Sequence, residues 1–203
     1  MTPLRLDDGL WLHRDVAGHR DARDRLLRRH LSDELDCAET DIVIARDQWG
    51  KPALAAPRRK LWIGSTGRDG LLAIAVSRQG PVGVDVETLP HCRHGEAVAR
   101  GLFAPAEADW LDTLPPERRP LAFARLWTGK EAVLKAMGRG IGGGLERPDF
   151  SADVRDQPPP WPAARTKIDD ATHTVVWYTT LVDEAFVVIA RAQAESEPPG
   201  RAS

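Results

Sequence analysis

Apolar residues recur along the first half of the chain with the spacing of strands and of one long helix. The stretches 10–13 and 42–46 are short and apolar and have polar residues on both sides, which predicts strands. Within 19–35, leucines recur four residues apart among arginines and aspartates, a pattern that predicts an amphipathic helix. Two further apolar runs, at 71–77 and 82–87, flank a short turn and predict a pair of strands.

The second half of the chain predicts three helices and then strands. Its pattern favours a helix over about 92–102, a short helix that begins at Pro105, and a long helix over about 117–137 that the following glycines end. The proline-rich stretch 156–165 predicts a surface connection. Three strands complete this half, at 149–154, 174–181 and 185–191.

The two halves repeat one order of elements: a long helix, a strand, and then a pair of strands. No sequence repeat accompanies this order, so duplication is inferred from the elements alone. We therefore predict an α+β fold of two similar lobes, residues 1–100 and 101–193, with the active site at their junction. The polar tail 194–203 is predicted to be disordered.

Composition narrows the functional classes. Charged residues make up 29% of the 203 residues and the formal net charge is -2. The overall charge of the chain therefore gives no reason to expect nucleic acid or an anionic membrane as a partner. Cys37 and Cys92 have no metal-like spacing, which fits a reducing compartment. The sequence shows no signal-peptide pattern and no apolar run near the ~20 residues of a membrane span. We expect a cytoplasmic protein, and a monomer because two lobes in one chain remove the need for a dimer.

The stretch PVGVDVETL, residues 81–89, places two carboxylates on one face of a predicted strand. Its valines alternate with Gly83, Asp85 and Glu87, so the valines face one way and these three residues the other. The polar outer face of an edge strand would give the same pattern. We expect Gly83 to leave open space beside the carboxylates, as glycine does where a ligand approaches.

The long helix carries a second charged face. Glu131 and Lys135 are four residues apart in LWTGKEAVLKAMGRG, with Trp127, interpreted as a packing residue, one turn earlier. A solvent-exposed pair worth about 0.3–0.5 kcal/mol would explain this spacing on its own. Together with Asp85 and Glu87, however, Glu131 forms a set of hard oxygen ligands suited to Mg²⁺, and nearby lysines or arginines would bind phosphate oxygens. The set predicts a Mg²⁺-diphosphate site.

Four motifs in order resemble those of one enzyme family. VGVDVE, followed about 40 residues later by WTGKEAVLK, is similar to the paired signature of the 4′-phosphopantetheinyl transferases of the Sfp type. WGKPAL, at 49–54, resembles the family's Gly-Lys-Pro element, and LFAPAEADWL resembles its Phe-x-x-x-Glu segment. The resemblance runs from about residue 49 to 145.

The resemblance implies a Mg²⁺-dependent transfer of 4′-phosphopantetheine from coenzyme A to a serine of an acyl, peptidyl or aryl carrier protein, with release of 3′,5′-ADP. It also implies two similar α+β lobes. By motif position, Asp85, Glu87 and Glu131 would hold Mg²⁺ on the coenzyme A diphosphate. Lys135 would contact the same phosphates, and Glu131 would take the serine proton directly or through water. Asp85, Glu131 and Lys135 are therefore the predicted catalytic residues.

The resemblance also assigns residues to coenzyme A. These predicted coenzyme-binding residues are Lys51, Pro52, Ser65, Thr66, Lys135, Arg20 and Arg23. Arg20 and Arg23 would reach the 3′-phosphate, although a solvated basic helix face would explain them equally well.

One segment departs from the family pattern. The family's Ser-His-Ser-like segment is replaced here by Ser65, Thr66 and Gly67, and a threonine donates a hydrogen bond but carries no charge. Arg68 is a candidate substitute for the missing histidine, unless its neighbour Asp69 pairs with it.

Two other functions would use the same residues. A catalytically lapsed protein would keep coenzyme A or carrier binding, and the altered segment at 65–67 is its support. A Mg²⁺-dependent phosphohydrolase would use the same carboxylates but gives no reason for the Gly-Lys-Pro element.

Overall fold

A computed structural model of the protein describes residues 2–93, 95–140, 142, 144–150, 152–157, 161–168 and 173–193. The strands in this part of the chain are β1 Leu4–Asp7, β2 Leu10–His13, β3 Val43–Arg46, β4 Pro52–Ala56, β5 Trp62–Arg68, β6 Leu71–Ser77, β7 Val82–Thr88, β8 Ala164–Ile168, β9 His173–Val182 and β10 Ala185–Gln193. The helices are α1 Arg20–Leu35, α2 Leu89–Cys92, α3 Glu96–Leu102, α4 Pro105–Thr113, α5 Arg119–Ala136 and α6 Ala152–Arg155. The predicted tail 194–203 lies outside the described residues.

Two four-stranded antiparallel sheets form the centre of the fold. The first has the order β1-β2-β6-β5 and the second the order β7-β10-β9-β8, while β3 and β4 form a separate hairpin. Helices and antiparallel sheets together confirm the predicted α+β class. No helix in the described ranges combines the length and the apolar character needed to cross a bilayer.

The alternation of side chains on each strand divides the core into three layers. Leu10 and Leu12 of the first sheet pack against Val84 of the second, so one layer lies between the sheets. On the outer face of the first sheet, α1 buries Leu27 and Leu31 completely. Full burial of such a side chain contributes about 1.5–3 kcal/mol. On the outer face of the second sheet, α5 packs in the same way against β9 and β10.

The two strands predicted at 71–77 and 82–87 exist, but they do not pair. Strand β6 lies in the first sheet, whereas β7 pairs with β10 in the second, so the chain crosses between the sheets at Gly80 and Pro81. The crossing lets the valines of β7 fill the layer between the sheets. The likeness of the two lobes and their limits at 1–100 and 101–193 stay predictions.

The strand predicted at 149–154 is wrong. Residues Ala152–Arg155 form the short helix α6 instead, in which the Asp156 amide donates to the Ala152 carbonyl. This bond joins residues four apart, as in one turn of an α-helix, and the Val154 side chain of the turn is buried. The strand of this region comes later, as β8, and begins inside the stretch predicted to be only a connection.

Candidate active site

Strand β7 and helix α5 approach each other through Gly83. A Cβ atom on Gly83 would overlap the Ala132 carbonyl oxygen and the Ala136 amide nitrogen, and would lie 2.9 Å from the Lys135 carbonyl carbon. The expectation that Gly83 leaves space for a ligand is therefore wrong, because helix backbone takes that space. The glycine instead brings Glu131 and Lys135 within reach of the β7 carboxylates.

A Gly83→Ala substitution should lower the free energy of unfolding by about 1–3 kcal/mol or more, because the overlapping atoms are backbone that cannot rotate away. Gly101→Ala is the matched control, since Gly101 lies on α3 with nothing within 4 Å of an added Cβ. Urea unfolding of both variants measures the difference. A Gly83→Ala protein as stable as Gly101→Ala would contradict the close approach.

Lys135 connects the carboxylates of the strand and the helix. Its Nζ atom lies 2.6 Å from Asp85 Oδ1 and 2.9 Å from Glu131 Oε2, so the two oxygens are within two hydrogen-bond lengths of each other. Thr66 Oγ1 donates to Asp85 Oδ1 at 3.2 Å from β5. Glu131 is buried and Lys135 is one-third exposed, and both belong to a network between α5 and β7, so the interpretation as a solvent-exposed helix pair is wrong.

Glu87 is held by an arginine of β5. Arg68 Nη2 lies 2.7 Å and Nε 3.2 Å from Glu87 Oε1, a pairing of one forked guanidinium with one carboxylate oxygen. The neighbouring Asp69 accepts a hydrogen bond from the Thr88 hydroxyl at its Oδ2 atom. Side chains therefore join β7 to β5 and to the residue that follows it. The three contacts are Thr66 with Asp85, Arg68 with Glu87, and Asp69 with Thr88.

Burial controls the protonation of this cluster. Burial raises the pKa of Asp85 to about 7 against the opposing effect of Lys135, and the neighbouring carboxylates Glu131 and Glu87 raise it further. Burial lowers the pKa of Lys135, but Asp85 and Glu131 more than offset this, so its pKa lies above the ordinary value. The hydrogen bond to Glu87 raises the pKa of Arg68. The cluster thus contains three carboxylates, Asp85, Glu87 and Glu131, but only two cationic side chains, Lys135 and Arg68.

The carboxylates fit a divalent cation in chemistry, although they are not pre-assembled around one. Among the hydrogen bonds of the described residues, the buried atoms Asp85 Oδ2 and Glu87 Oε2 have no partner. Unpartnered carboxylate oxygens are the ligands that Mg²⁺ prefers. Within the same residues, however, no three His, Cys, Asp or Glu side chains are grouped to hold a metal. Lys135 and Arg68 occupy the carboxylates instead, so the metal-ligand set Asp85, Glu87 and Glu131 stays a prediction.

A cavity of about 390 Å³ opens beside this cluster. Of the residues predicted to act in catalysis or coenzyme binding, those that line it are Lys51, Pro52, Ser65, Glu131 and Lys135. Asp85 connects to the cavity through Lys135. Arg139 on its wall was not predicted, because the glycine-rich stretch after α5 predicted only the end of the helix. Trp49, also on the wall, was recognised only as part of the WGKPAL motif.

Lys51 lies on the cavity wall and reaches the end of α5, while its role along coenzyme A stays a prediction. Its Nζ atom donates to the Lys135 carbonyl and, at 3.4 Å, to the Ala136 carbonyl, where α5 ends. A cation at this position interacts favourably with the negative end of the helix dipole. Burial lowers the pKa of Lys51. In this arrangement Lys51 joins the β3–β4 hairpin to the active-site helix as well as forming part of the cavity wall.

The two arginines predicted for the 3′-phosphate do not line this cavity in the described structure. Arg20 is exposed at the first turn of α1, and the Arg23 guanidinium lies against the backbone of Gly67, 3.0 Å from where a Cβ would stand. Their coenzyme role stays a prediction. Trp127 stacks on Phe103 and Phe123, so its interpretation as a packing residue is confirmed.

A buried ion pair on the neighbouring face of α5, next to that of Glu131, was not predicted. Lys130 Nζ lies 2.7 Å from Glu107 Oε2, and both side chains are fully buried. The ammonium also donates to the carbonyls of Leu145 and Pro148, at 2.9 and 2.5 Å, while Glu107 accepts from the Phe150 amide at 2.8 Å. The signal was present in the Phe-x-x-x-Glu segment, since Phe103 and Glu107 both contact Lys130.

The site combines three groups that phosphate chemistry requires. These are clustered carboxylates, the ammonium group of Lys135 and the carboxylate of Glu131, and the last two line the cavity. The adjoining cavity provides room for a ligand.

Several known proteins have sequences similar to that of this chain. The chain is 39% identical over 124 residues to a Synechocystis protein, slr0495, named as a candidate 4′-phosphopantetheinyl transferase, covering 60% of this chain and 50% of that protein. It is 34% identical over 89 residues to the 4′-phosphopantetheinyl transferase AcpT of Salmonella typhi, covering 44% and 46%. It is 27% identical over 146 residues to the 4′-phosphopantetheinyl transferase of Bacillus subtilis, covering 71% and 59%. The chain thus spans about half the length of the curated relatives it matches.

A family model fits the part of the chain that holds most of the site. The model of the 4′-phosphopantetheinyl transferase superfamily matches residues 81–190, which include the carboxylates of β7 and the whole of α5. The match takes in more than half of the chain, and its two signature elements are those that Gly83 brings together. The protein belongs to the 4′-phosphopantetheinyl transferase superfamily.

Proposed function

We propose that this protein transfers 4′-phosphopantetheine from coenzyme A to a serine hydroxyl of an apo acyl, peptidyl or aryl carrier protein, as the Sfp-type enzymes do. The serine Oγ forms a bond to the β-phosphorus of coenzyme A, the bond from that phosphorus to the bridging oxygen breaks, and 3′,5′-ADP leaves. One observation carries the proposal: Glu131 and Lys135, on one face of α5, line the cavity and meet the buried Asp85 of β7.

The residues of the site have distinct roles in this reaction. Lys135 binds phosphate oxygens of the coenzyme, because its ammonium lies at the cavity wall with a third of the side chain exposed. Glu131 accepts the serine proton, since it is the predicted base that lines the cavity. Thr66 and Lys135 hold Asp85 in place through hydrogen bonds to one oxygen.

Asp85, Glu87 and Glu131 would hold Mg²⁺. When bound, the ion would neutralise negative charge on the diphosphate. The support is the chemistry of the donors: buried carboxylates, two with an unpartnered oxygen, and fewer cations than anions. Because β7 and α5 belong to one chain, the site is complete in a monomer.

Intact-mass measurement of an apo carrier protein tests the function. Incubation with this protein, coenzyme A and Mg²⁺ should add the mass of phosphopantetheine to the carrier, and a chelator should abolish the gain. A carrier whose acceptor serine is replaced by alanine is the control. Coenzyme A binding without a mass gain would indicate a lapsed binding protein. Release of phosphate or nucleotide without carrier modification would indicate a hydrolase.

A further inference from the structure

The carboxylate cluster is closed by cations of the chain itself. Asp85 and Glu131 share Lys135, and Glu87 is engaged by Arg68. With all groups ionised, three carboxylates face two cations, which leaves one net negative charge. The net charge of this cluster opposes a diphosphate placed against it, and a divalent cation bound to the carboxylates would reverse the sign of that charge.

We propose that Arg68 is a tethered counter-ion, which holds Glu87 until Mg²⁺ takes its place and then turns to the diphosphate of the substrate. The inference rests on the proposed function. It assigns Arg68 a role in the order of binding. The metal binds first, and the anionic substrate binds afterwards, when the net charge of the site has become positive.

The burial of the two partners shows which one moves. The Glu87 side chain is 4% exposed within β7, whereas the Arg68 side chain is 38% exposed at the last residue of β5. A long side chain at the surface loses a contact at little cost to packing, while a buried carboxylate cannot leave its strand. Asp69, which follows Arg68, accepts a hydrogen bond from the Thr88 hydroxyl.

The geometry of the pair also leaves a position for the metal. Both guanidinium contacts are to Glu87 Oε1, whereas Glu87 Oε2 is buried without a hydrogen-bond partner among the described residues. A cation could begin to bind at Oε2 before Arg68 leaves Oε1. A guanidinium that bridged both oxygens would block this entry.

Titration of the coenzyme-free protein with Mg²⁺ by calorimetry tests the proposal. Arg68→Gln removes the competing charge, so its Mg²⁺ dissociation constant should be roughly ten- to a hundredfold lower than that of the natural protein, the range expected for one lost charge-assisted contact. Arg68→Lys keeps a positive charge but lacks the forked guanidinium, so its Mg²⁺ dissociation constant should lie between those of Arg68→Gln and the natural protein. Arg78→Gln, which breaks the exposed Arg78–Glu34 pair, is the matched control and should leave the affinity unchanged.

A second titration follows coenzyme A binding at saturating Mg²⁺. There Arg68→Gln should bind coenzyme A more weakly than the natural protein, and Arg68→Lys should restore part of the affinity. Equal or weaker Mg²⁺ binding by both Arg68 variants would overturn the proposal and leave Arg68 a structural partner of Glu87. Should Arg68→Gln fail to fold, Arg68→Lys decides the matter alone. Neither titration depends on carrier modification, so a failure of the transferase function is recognised separately by the mass assay.

Discussion

Replacement of Glu131 by glutamine should lower the rate of carrier modification by about 10²–10⁴-fold, the range typical of a lost general base. Glutamine keeps the shape of the side chain but can neither accept the serine proton nor offer a charged ligand to Mg²⁺. The free energy of unfolding should change by no more than about 1 kcal/mol, because Lys135 keeps its contact with Asp85 and is one-third exposed.

The comparison of two variants distinguishes this role from a structural one. Glu117→Gln, at an exposed position just before α5, should keep full activity and is the control. Initial rates of the mass gain and urea unfolding are measured on both proteins. If Glu131→Gln loses stability but modifies the carrier at the natural rate, Glu131 is only a helix partner of Lys135 and the proposed chemistry fails.

The sequence predicted the two halves of the site because each half has a strictly local pattern. On β7, alternation separates Asp85 and Glu87 from the valines, and on α5 a four-residue spacing places Glu131 and Lys135 on one face. Neither pattern contains the distance between strand and helix. That distance depends on Gly83, whose missing side chain was taken as space for a ligand and proved to be the contact with the helix.

Elements with mixed or polar sequences could not be predicted in this way. Strand β5, with the sequence WIGSTGR, shows little apolar alternation, because its Thr66 and Arg68 face the carboxylates of β7. The polar side chains of this strand are therefore explained by their contacts with the β7 carboxylates and not by exposure to solvent. The crossing of the chain between sheets is equally hidden, because a turn between two apolar runs has the same sequence pattern whether or not the strands pair.

Lys130 is the residue for which sequence reasoning was least informative. Lysine is rarely buried, and nothing in the sequence indicated that Lys130 lies in the core. Burial raises the pKa of Glu107 and lowers the pKa of Lys130, and each charge offsets the shift in its partner. The pair is completed by backbone partners from the segment 145–150, which is distant in sequence from both residues.

Lys130→Met should lower the free energy of unfolding by about 3–5 kcal/mol, since it leaves the Glu107 carboxylate buried without its cation. Glu107→Gln should cost a comparable amount, because it leaves a buried ammonium. The double variant should be more stable than the two single losses would predict, by about 0.5–3 kcal/mol, because methionine and a neutral amide leave no unpaired charge. The amide oxygen of glutamine can still accept from the Phe150 amide.

Urea unfolding of the two single variants and the double variant measures this coupling. Asp112→Asn breaks the exposed Arg100–Asp112 pair and should cost less than about 1 kcal/mol, which makes it the matched control for an ion pair outside the core. Losses as small as this control in both single variants would mean that the Glu107–Lys130 pair does not fix α5. Because Lys130 directly precedes Glu131 on α5, a confirmed coupling would show that a buried ion pair stabilises the helix on the face next to Glu131.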